Sequence, residues 1–82
     1  MKIRYFAWIK DITKTEYEEI NDKSLKDIKD LKIFISKKYP KLKTYLNKDS
    51  VIRIAINLEH VTKNDKISLK DEIALFPPVS GG

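Results

Sequence analysis

The sequence predicts an α+β fold in which one main helix packs on one face of a mixed sheet of about five strands. Three observations point there. Apolar and polar residues alternate near the start of the chain, in its second half and near its end, the period of half-buried strands. Between the first two of these stretches, Leu25, Ile28, Leu31, Ile35 and Tyr39 recur at helical spacing. Finally, 82 residues without a cysteine leave room for one core, which must stabilise itself without disulfide or zinc.

Lys2 to Ile9 alternates throughout: Ile3, Tyr5, Ala7 and Ile9 point one way, and Lys2, Arg4, Phe6 and Trp8 the other, as in a strand with one wetter face. After the polar stretch Lys10 to Lys14, Thr15 to Ile20 reads as a second strand that forms a hairpin with the first. Ser24 followed by Asp27 has the form of a capping box with a short acid, which opens a helix over 25–38 that is stopped by Pro40. Residues 41–50 are a polar connection anchored on the core by Leu42 and Leu46. Alternation returns over Val51 to Asn57, with Ile52, Ile54 and Ile56 on one face and Arg53, Ala55 and Asn57 on the other. A turn at Leu58-Glu59 leads to a short return strand at His60 to Thr62, and Asp71 to Phe76 forms the last strand after a short Ile67-Ser68-Leu69 segment. The order is a β-grasp-like layout, with residues 1–82 as one domain and 77–82 as its tail.

The formal net charge of +5 raises nucleic acid as a partner, but the lysines from Lys23 to Lys48 are interleaved with Asp27, Asp30 and Asp49, with no aromatic-basic alternation. A solvated lysine-rich face is expected, and no nucleic-acid role. No apolar run approaches the roughly 18 residues that span a bilayer, and the start lacks a signal-peptide block, so no membrane partner is expected. The absence of cysteine fits a reducing cytoplasm.

Catalytic machinery is hard to find. His60 stands alone in a hairpin and reads as a surface or sheet-face histidine. The acid pairs Glu18-Glu19 and Asp71-Glu72 are adjacent on strands, where neighbours face opposite sides and cannot work together. No glycine lies in the interior, so no phosphate-cradling loop exists and no bound cofactor is expected. Both glycines are instead the last two residues. Pro77-Pro78 can continue neither a central strand nor a helix, and projects Val79-Ser80-Gly81-Gly82 away from the sheet as an extended arm. Glycines let backbone thread a channel too narrow for a Cβ, and Gly82 presents an unhindered carboxylate. A free carboxylate is a poor acyl electrophile, so a partner must activate it with ATP, and the chain is then a carrier whose chemistry others supply.

Strand parity adds a docking surface. Phe6 and Trp8 of the first strand, with Ala74 and Phe76 of the last, fall on the face opposite Ile52, Ile54, Ile56 and Ile73, and would form one exposed patch beside the root of the arm.

The run Asp71-Glu72-Ile73-Ala74-Leu75-Phe76-Pro77-Pro78-Val79-Ser80-Gly81-Gly82 resembles the terminal signature of the molybdopterin synthase small-subunit family. The likeness covers the whole chain: Arg4-Tyr5-Phe6-Ala7 resembles that family's first strand, Ser24-Leu25 its helix start and Ala55-Ile56-Asn57 its strand and turn. Lys70 departs from the pattern, where the family commonly has a glycine in the turn. The resemblance implies a ubiquitin-like β-grasp sulfur carrier. A ubiquitin-activating-like adenylyltransferase would form the Gly82 acyl-adenylate, and a sulfur donor protein would convert it to a thiocarboxylate. With Pro77, Pro78, Val79, Ser80 and Gly81 threaded into the large subunit, that sulfur would pass to cyclic pyranopterin monophosphate within a heterotetramer. A thiamine-pathway sulfur carrier shares the fold and the Gly-Gly end but usually lacks the Phe76 to Val79 run. An archaeal-type protein modifier joined to lysines through Gly82 is the other alternative.

Overall fold

The computed structural model describes residues 1–48 and 51–78. Strands β1 (Lys2–Tyr5), β2 (Tyr17–Glu19), β3 (Arg53–Ile56), β4 (Glu59–His60) and β5 (Glu72–Phe76) make one mixed sheet in the order β2-β1-β5-β3-β4. β1 and β5 run parallel, while the other pairs are antiparallel. Helix α2 (Ile28–Lys38) packs on one face, and a shorter helix α1 (Trp8–Thr13), a 3-10 turn (Pro40–Leu42) and helix α3 (Lys43–Leu46) complete that layer. Among the described residues no helix is long and apolar enough to cross a membrane.

The core follows from two periods meeting. Ile3 and Tyr5 of β1, Ile54 of β3, and Ile73 and Leu75 of β5 alternate onto the helix side, and Ile28, Leu31 and Ile35 of α2 descend on them at i, i+3 and i+7. Leu42 and Leu46 are fully buried, as their anchoring role requires, although the connection that carries them is helical instead of irregular.

Helix α2 begins at Ile28, three residues later than the spacing predicts, because Asp27 and not Ser24 caps it. Asp27 accepts from the Asp30 amide at 2.9 Å, whereas the Ser24 hydroxyl donates to Asp22 at 2.6 Å. Its next free donors are met from outside: the Ile28 amide donates to the Asp65 carbonyl at 3.0 Å and the Lys29 amide to Asn64 Oδ1 at 2.7 Å. The polar stretch after β4 is therefore fastened to the helix start. At the other end Tyr39 donates its amide to the Ile35 carbonyl at 2.7 Å, and Pro40 prevents another turn.

The expected first strand over Lys2 to Ile9 is cut short. Ala7 adopts φ 54°, ψ −135°, which turns the chain out of the sheet, and Ile9 and Thr13 are then buried from one side of α1. Trp8 accordingly sits on a helix and not on the sheet face, and its ring meets Tyr45 edge-on at 5.3 Å. The predicted loop of the first hairpin is that same helix, closed by Lys14 at φ 64° with its amide on the Lys10 carbonyl. In the second hairpin the turn is one residue earlier than expected: Ile56 pairs with Glu59, and Asn57 (φ 50°) and Leu58 (φ 72°) form its two centres, the signs of a type I′ turn. Asn57 is pinned by its side chain, donating to Asp71 at 2.9 Å and accepting from the Glu72 amide at 2.9 Å. Lys70 does not need the glycine conformation. The Asp71 amide donates to the Ser68 carbonyl, and Asp71 Oδ2 accepts the Ser68 amide at 2.8 Å, which closes that turn with ordinary backbone angles.

One polar cluster ties the edge strand to the helix. Glu18 of β2 accepts hydrogen bonds from the Tyr5 and Tyr39 hydroxyls on one oxygen and from Lys38 Nζ, at 2.6 Å, on the other. Burial alone would raise the Glu18 carboxyl, but the Lys38, Tyr5 and Tyr39 donors outweigh it and hold it below its ordinary value. Burial, together with the Glu18 charge, pushes the Tyr39 hydroxyl up to about 12 and Tyr5 further still. Glu18→Ala leaves the buried Tyr5 hydroxyl without its acceptor and is expected to destabilise the fold by about 2 kcal/mol, read as a lowered midpoint in urea. The linkage has a definite sign. Glu18 has a folded value below its unfolded one, so its contribution is present above about pH 4.5 and is lost as pH falls through the folded value. Tyr39 is shifted upward, so its contribution is complete below pH 10 and is lost as pH rises toward about 12. Urea midpoints measured against pH should therefore fall at both extremes in the wild type, and the acid limb should flatten in Glu18→Ala.

Candidate functional site

The sheet face opposite α2 is not covered by any described element and carries the candidate site. Its rows follow from the register. Arg4 lies opposite Tyr17 on one side and Ala74 on the other, Ala74 opposite Ala55, and Ala55 opposite His60. One step toward the end of β5, Phe76 lies opposite Arg53. The Phe6 amide still donates to the Leu75 carbonyl at 3.1 Å, so the ladder runs one residue past β1 and brings Phe6 alongside Phe76. Phe6 is 46% exposed and Phe76 half-buried, with its ring edge-on to His60 at 6.2 Å.

The expected patch is thus present in three of its four members, Phe6, Ala74 and Phe76. Trp8 is the exception: it is half-buried against Tyr45 on the helical layer, because Ala7 has already turned the chain. Parity also understates the charge of this face. Lys2 Nζ stands 4.5 Å from the Tyr17 ring centroid and the Arg4 guanidinium 6.0 Å from it, within cation–π range. Arg4 also bridges to Glu72 at 2.9 Å, an exposed pair of small energetic weight that fixes the side chain's direction. Arg4, Tyr17, Arg53 and His60 belong to the surface as much as the phenylalanines do. Their parity is visible in the sequence, but their convergence needs the strand order.

Phe76 is the last residue of the ladder, for a stated reason: Pro77 and Pro78 have no amide to donate. Both prolines are half-buried. They leave from a central strand, between the end of β1 and the start of β3, so the root of the arm is flanked by Phe6 on one side and Arg53 on the other. Val79, Ser80, Gly81 and Gly82 lie outside the described residues.

With this geometry in place, the comparisons with known proteins become informative. A model of the ThiS family matches residues 3–82. A putative molybdopterin converting factor subunit 1 from Pyrococcus furiosus has a solved structure similar to this one, with a TM-score of 0.77 and 26% identity over 95% of each chain. The small archaeal modifier protein 1 of Methanosarcina acetivorans gives a TM-score of 0.77 at 25% identity, covering 99% of this chain and 94% of that one. A chain from the complex of subunits 1 and 2 of the Helicobacter pylori molybdopterin-converting factor gives 0.67 at 29% identity, covering 99% and 96%. The mixed five-stranded sheet with its helix is the ubiquitin-like β-grasp of these relatives, and the chain belongs to the ThiS family of ubiquitin-like sulfur carriers.

Proposed function

We propose that this chain is the sulfur-carrying subunit of a molybdopterin synthase, working in the cytoplasm. The observation that carries the reading is the likeness, over nearly the whole chain, to a Helicobacter pylori subunit found in complex with its subunit 2, joined to a Phe-Pro-Pro-Val-Ser-Gly-Gly run that starts on a central strand. The Gly82 carboxylate attacks the α-phosphate of ATP on an adenylyltransferase, giving the acyl-adenylate and pyrophosphate. Sulfide delivered by a donor protein attacks the acyl carbon and displaces AMP, leaving a thiocarboxylate. The arm then enters the large subunit, where the thiocarboxylate sulfur attacks cyclic pyranopterin monophosphate and displaces an oxygen substituent to form a thioester, and water hydrolyses that thioester, leaving the sulfur on the pterin and returning the carrier as the carboxylate. Gly81 keeps the threaded backbone thin, Pro77 and Pro78 set the arm's exit, and Phe6, Phe76 and Arg53 seat the partner around its root.

Likeness to the Methanosarcina acetivorans modifier favours a second reading, in which the activated Gly82 carbonyl is taken by a lysine amine to form an isopeptide bond. The two share the adenylation step and part afterwards.

Deleting Gly82 moves the reactive carbon back by up to ~3.6 Å in an extended chain. Since ~1 Å of misplacement can cost on the order of a hundredfold in rate, the deletion should abolish sulfur transfer to the pterin precursor in the reconstituted complex. Gly81→Val should impair activation and transfer while leaving the melting temperature unchanged, since the arm adds little to the core. Intact mass after incubation with the activating enzyme, ATP and a sulfur source should rise by one sulfur-for-oxygen exchange, confined to the last peptide. Full activity from the Gly82 deletion would sink both readings, and lysine conjugates without any pterin product would favour the modifier.

Three aromatics separate the docking surface from the fold. Phe76→Ala and Phe6→Asp should weaken binding to the large subunit by at least about tenfold with little loss of stability, as for an interface anchor. Trp8→Ala should do the reverse, lowering stability on the order of 2 kcal/mol, below the range for a fully buried aromatic, and leaving affinity nearly unchanged. Calorimetric binding and thermal melts on the same three variants measure both.

A further inference from the structure

A second concave surface lies on the other layer of the molecule, and nothing in the carrier chemistry uses it. Helix α2 presents two adjacent stripes. Ile28, Leu31 and Ile35 enter the core, while Lys29, Lys32, Ile33, Ser36 and Lys37 follow one another at three- and four-residue steps beside them. Across from this second stripe runs the segment 61–64, held in place by the Asn64 and Asp65 bonds to the start of α2. The space between them is a groove of about 500 Å³. Its floor is aliphatic, from Ile28, Ile33, Ile54 and Val61, and its rim carries Lys29, Lys32 and Lys63. A smaller hollow of about 300 Å³ continues it past Lys32 and Ile33 to Lys37 and Lys43.

Two features of this groove have no use in the fold itself. Ile33 is 47% exposed at a helix surface position where a lysine or glutamate would serve better. And among the described residues the five lysines around it form no ion pair with an acid, and no acidic residue lines either hollow. Two acids at the start of α2 are already committed: Asp27 accepts from the Asp30 amide and from Asn64, and Asp30 accepts from the Lys26 amide. The groove is therefore apolar at its base and positive at its rim.

We propose that this groove is a docking site for a partner protein's acidic peptide segment, one in which adjacent aliphatic side chains are flanked by glutamate or aspartate. The aliphatic pair fills the floor and the carboxylates meet the lysines, so the charge complementarity speeds encounter and selects the partner while the buried aliphatic area holds it. Other polyanions fit less well. No aromatic side chain lines the groove, so a nucleobase has no stacking surface there. Of the aliphatic floor, Ile28 and Ile54 are buried, so a flat bilayer would meet the lysine rim and Ile33 without reaching them. Ile54 faces this groove, whereas its strand neighbour Ala55 belongs to the opposite face with His60 and Phe76, so a carrier seated on the large subunit leaves the groove open.

The test uses the full chain, labelled with nitrogen-15, and a capped synthetic peptide with a Leu-Leu pair flanked by two glutamates on each side. Amide shifts should change in α2 and in residues 61–64 and stay fixed around Phe76, and the affinity should fall as salt is raised. Lys32→Glu, a surface exchange between good helix formers, and Ile33→Gln should each weaken binding by at least about threefold while the rest of the spectrum keeps its folded dispersion. A peptide with lysines in place of the glutamates should not bind. The proposal is overturned by shifts centred on the sheet face, by equal binding of the lysine peptide or of Lys32→Glu, by tighter binding of an oligothymidylate in the same groove, or by no perturbation at millimolar peptide. Each of these outcomes is independent of sulfur transfer by the arm.

Discussion

Everything in this molecule hangs on β5. It is the central strand, hydrogen-bonded to β1 on one edge and β3 on the other, and its inward residues Ile73 and Leu75 have no exposure at all. Without it, β1–β2 and β3–β4 are two separate hairpins, each too small to be stable in water and each with an open edge. The pairing of β1 with β5 joins residues about seventy positions apart, the kind of long-range closure that makes sheet formation late and cooperative. The same strand is the base of the arm. Because Pro77 follows directly on Phe76, the chain leaves the sheet from its central strand and not from an edge.

The central elements were legible because their periods are clean. Ile3/Tyr5, Ile52/Ile54 and the strand through Ile73 alternate as half-buried strands must, and Ile28, Leu31 and Ile35 can share a face only on a helix. What escaped the sequence were points where two local rules agree with two different structures. Phe6-Ala7-Trp8-Ile9 continues the strand alternation without interruption, and only the positive φ of Ala7, which its side chain does not announce, converts Trp8 and Ile9 into the first residues of a helix. Ser24 and Asp27 are both good caps; the choice fell to Asp27 because Asn64, 35 residues on from Lys29, and Asp65 beside it satisfy the next amides. The turn at Asn57-Leu58 has no glycine to mark it.

The candidate site divides in the same way. Phe6 and Phe76 follow from parity, and the exit of the arm from the missing amides of Pro77-Pro78. The mixed character of the face does not follow, because Arg4 and Tyr17, or Arg53 and Phe76, become neighbours only once the register is known. The lysine-rich helix shows the limit of net charge as a guide. Its sign is given by composition, but whether the lysines form a solvated shell or a rim depends on Ile33 standing among them and on the 61–64 segment lying opposite.

Among the described residues, four adopt positive φ, and none is glycine: Ala7, Lys14, Asn57 and Leu58. Each carries a left-handed or related conformation against its own Cβ, a penalty of roughly 1–2 kcal/mol that a glycine would remove. The exchange has another side. A glycine at the same place widens the range of conformations open to the unfolded chain and so increases the entropy lost on folding, by roughly 0.4–1 kcal/mol. The strain is the larger of the two. A chain whose interior lacks glycine is strained at its turns, and the more restricted denatured ensemble from which it starts offsets only part of that loss.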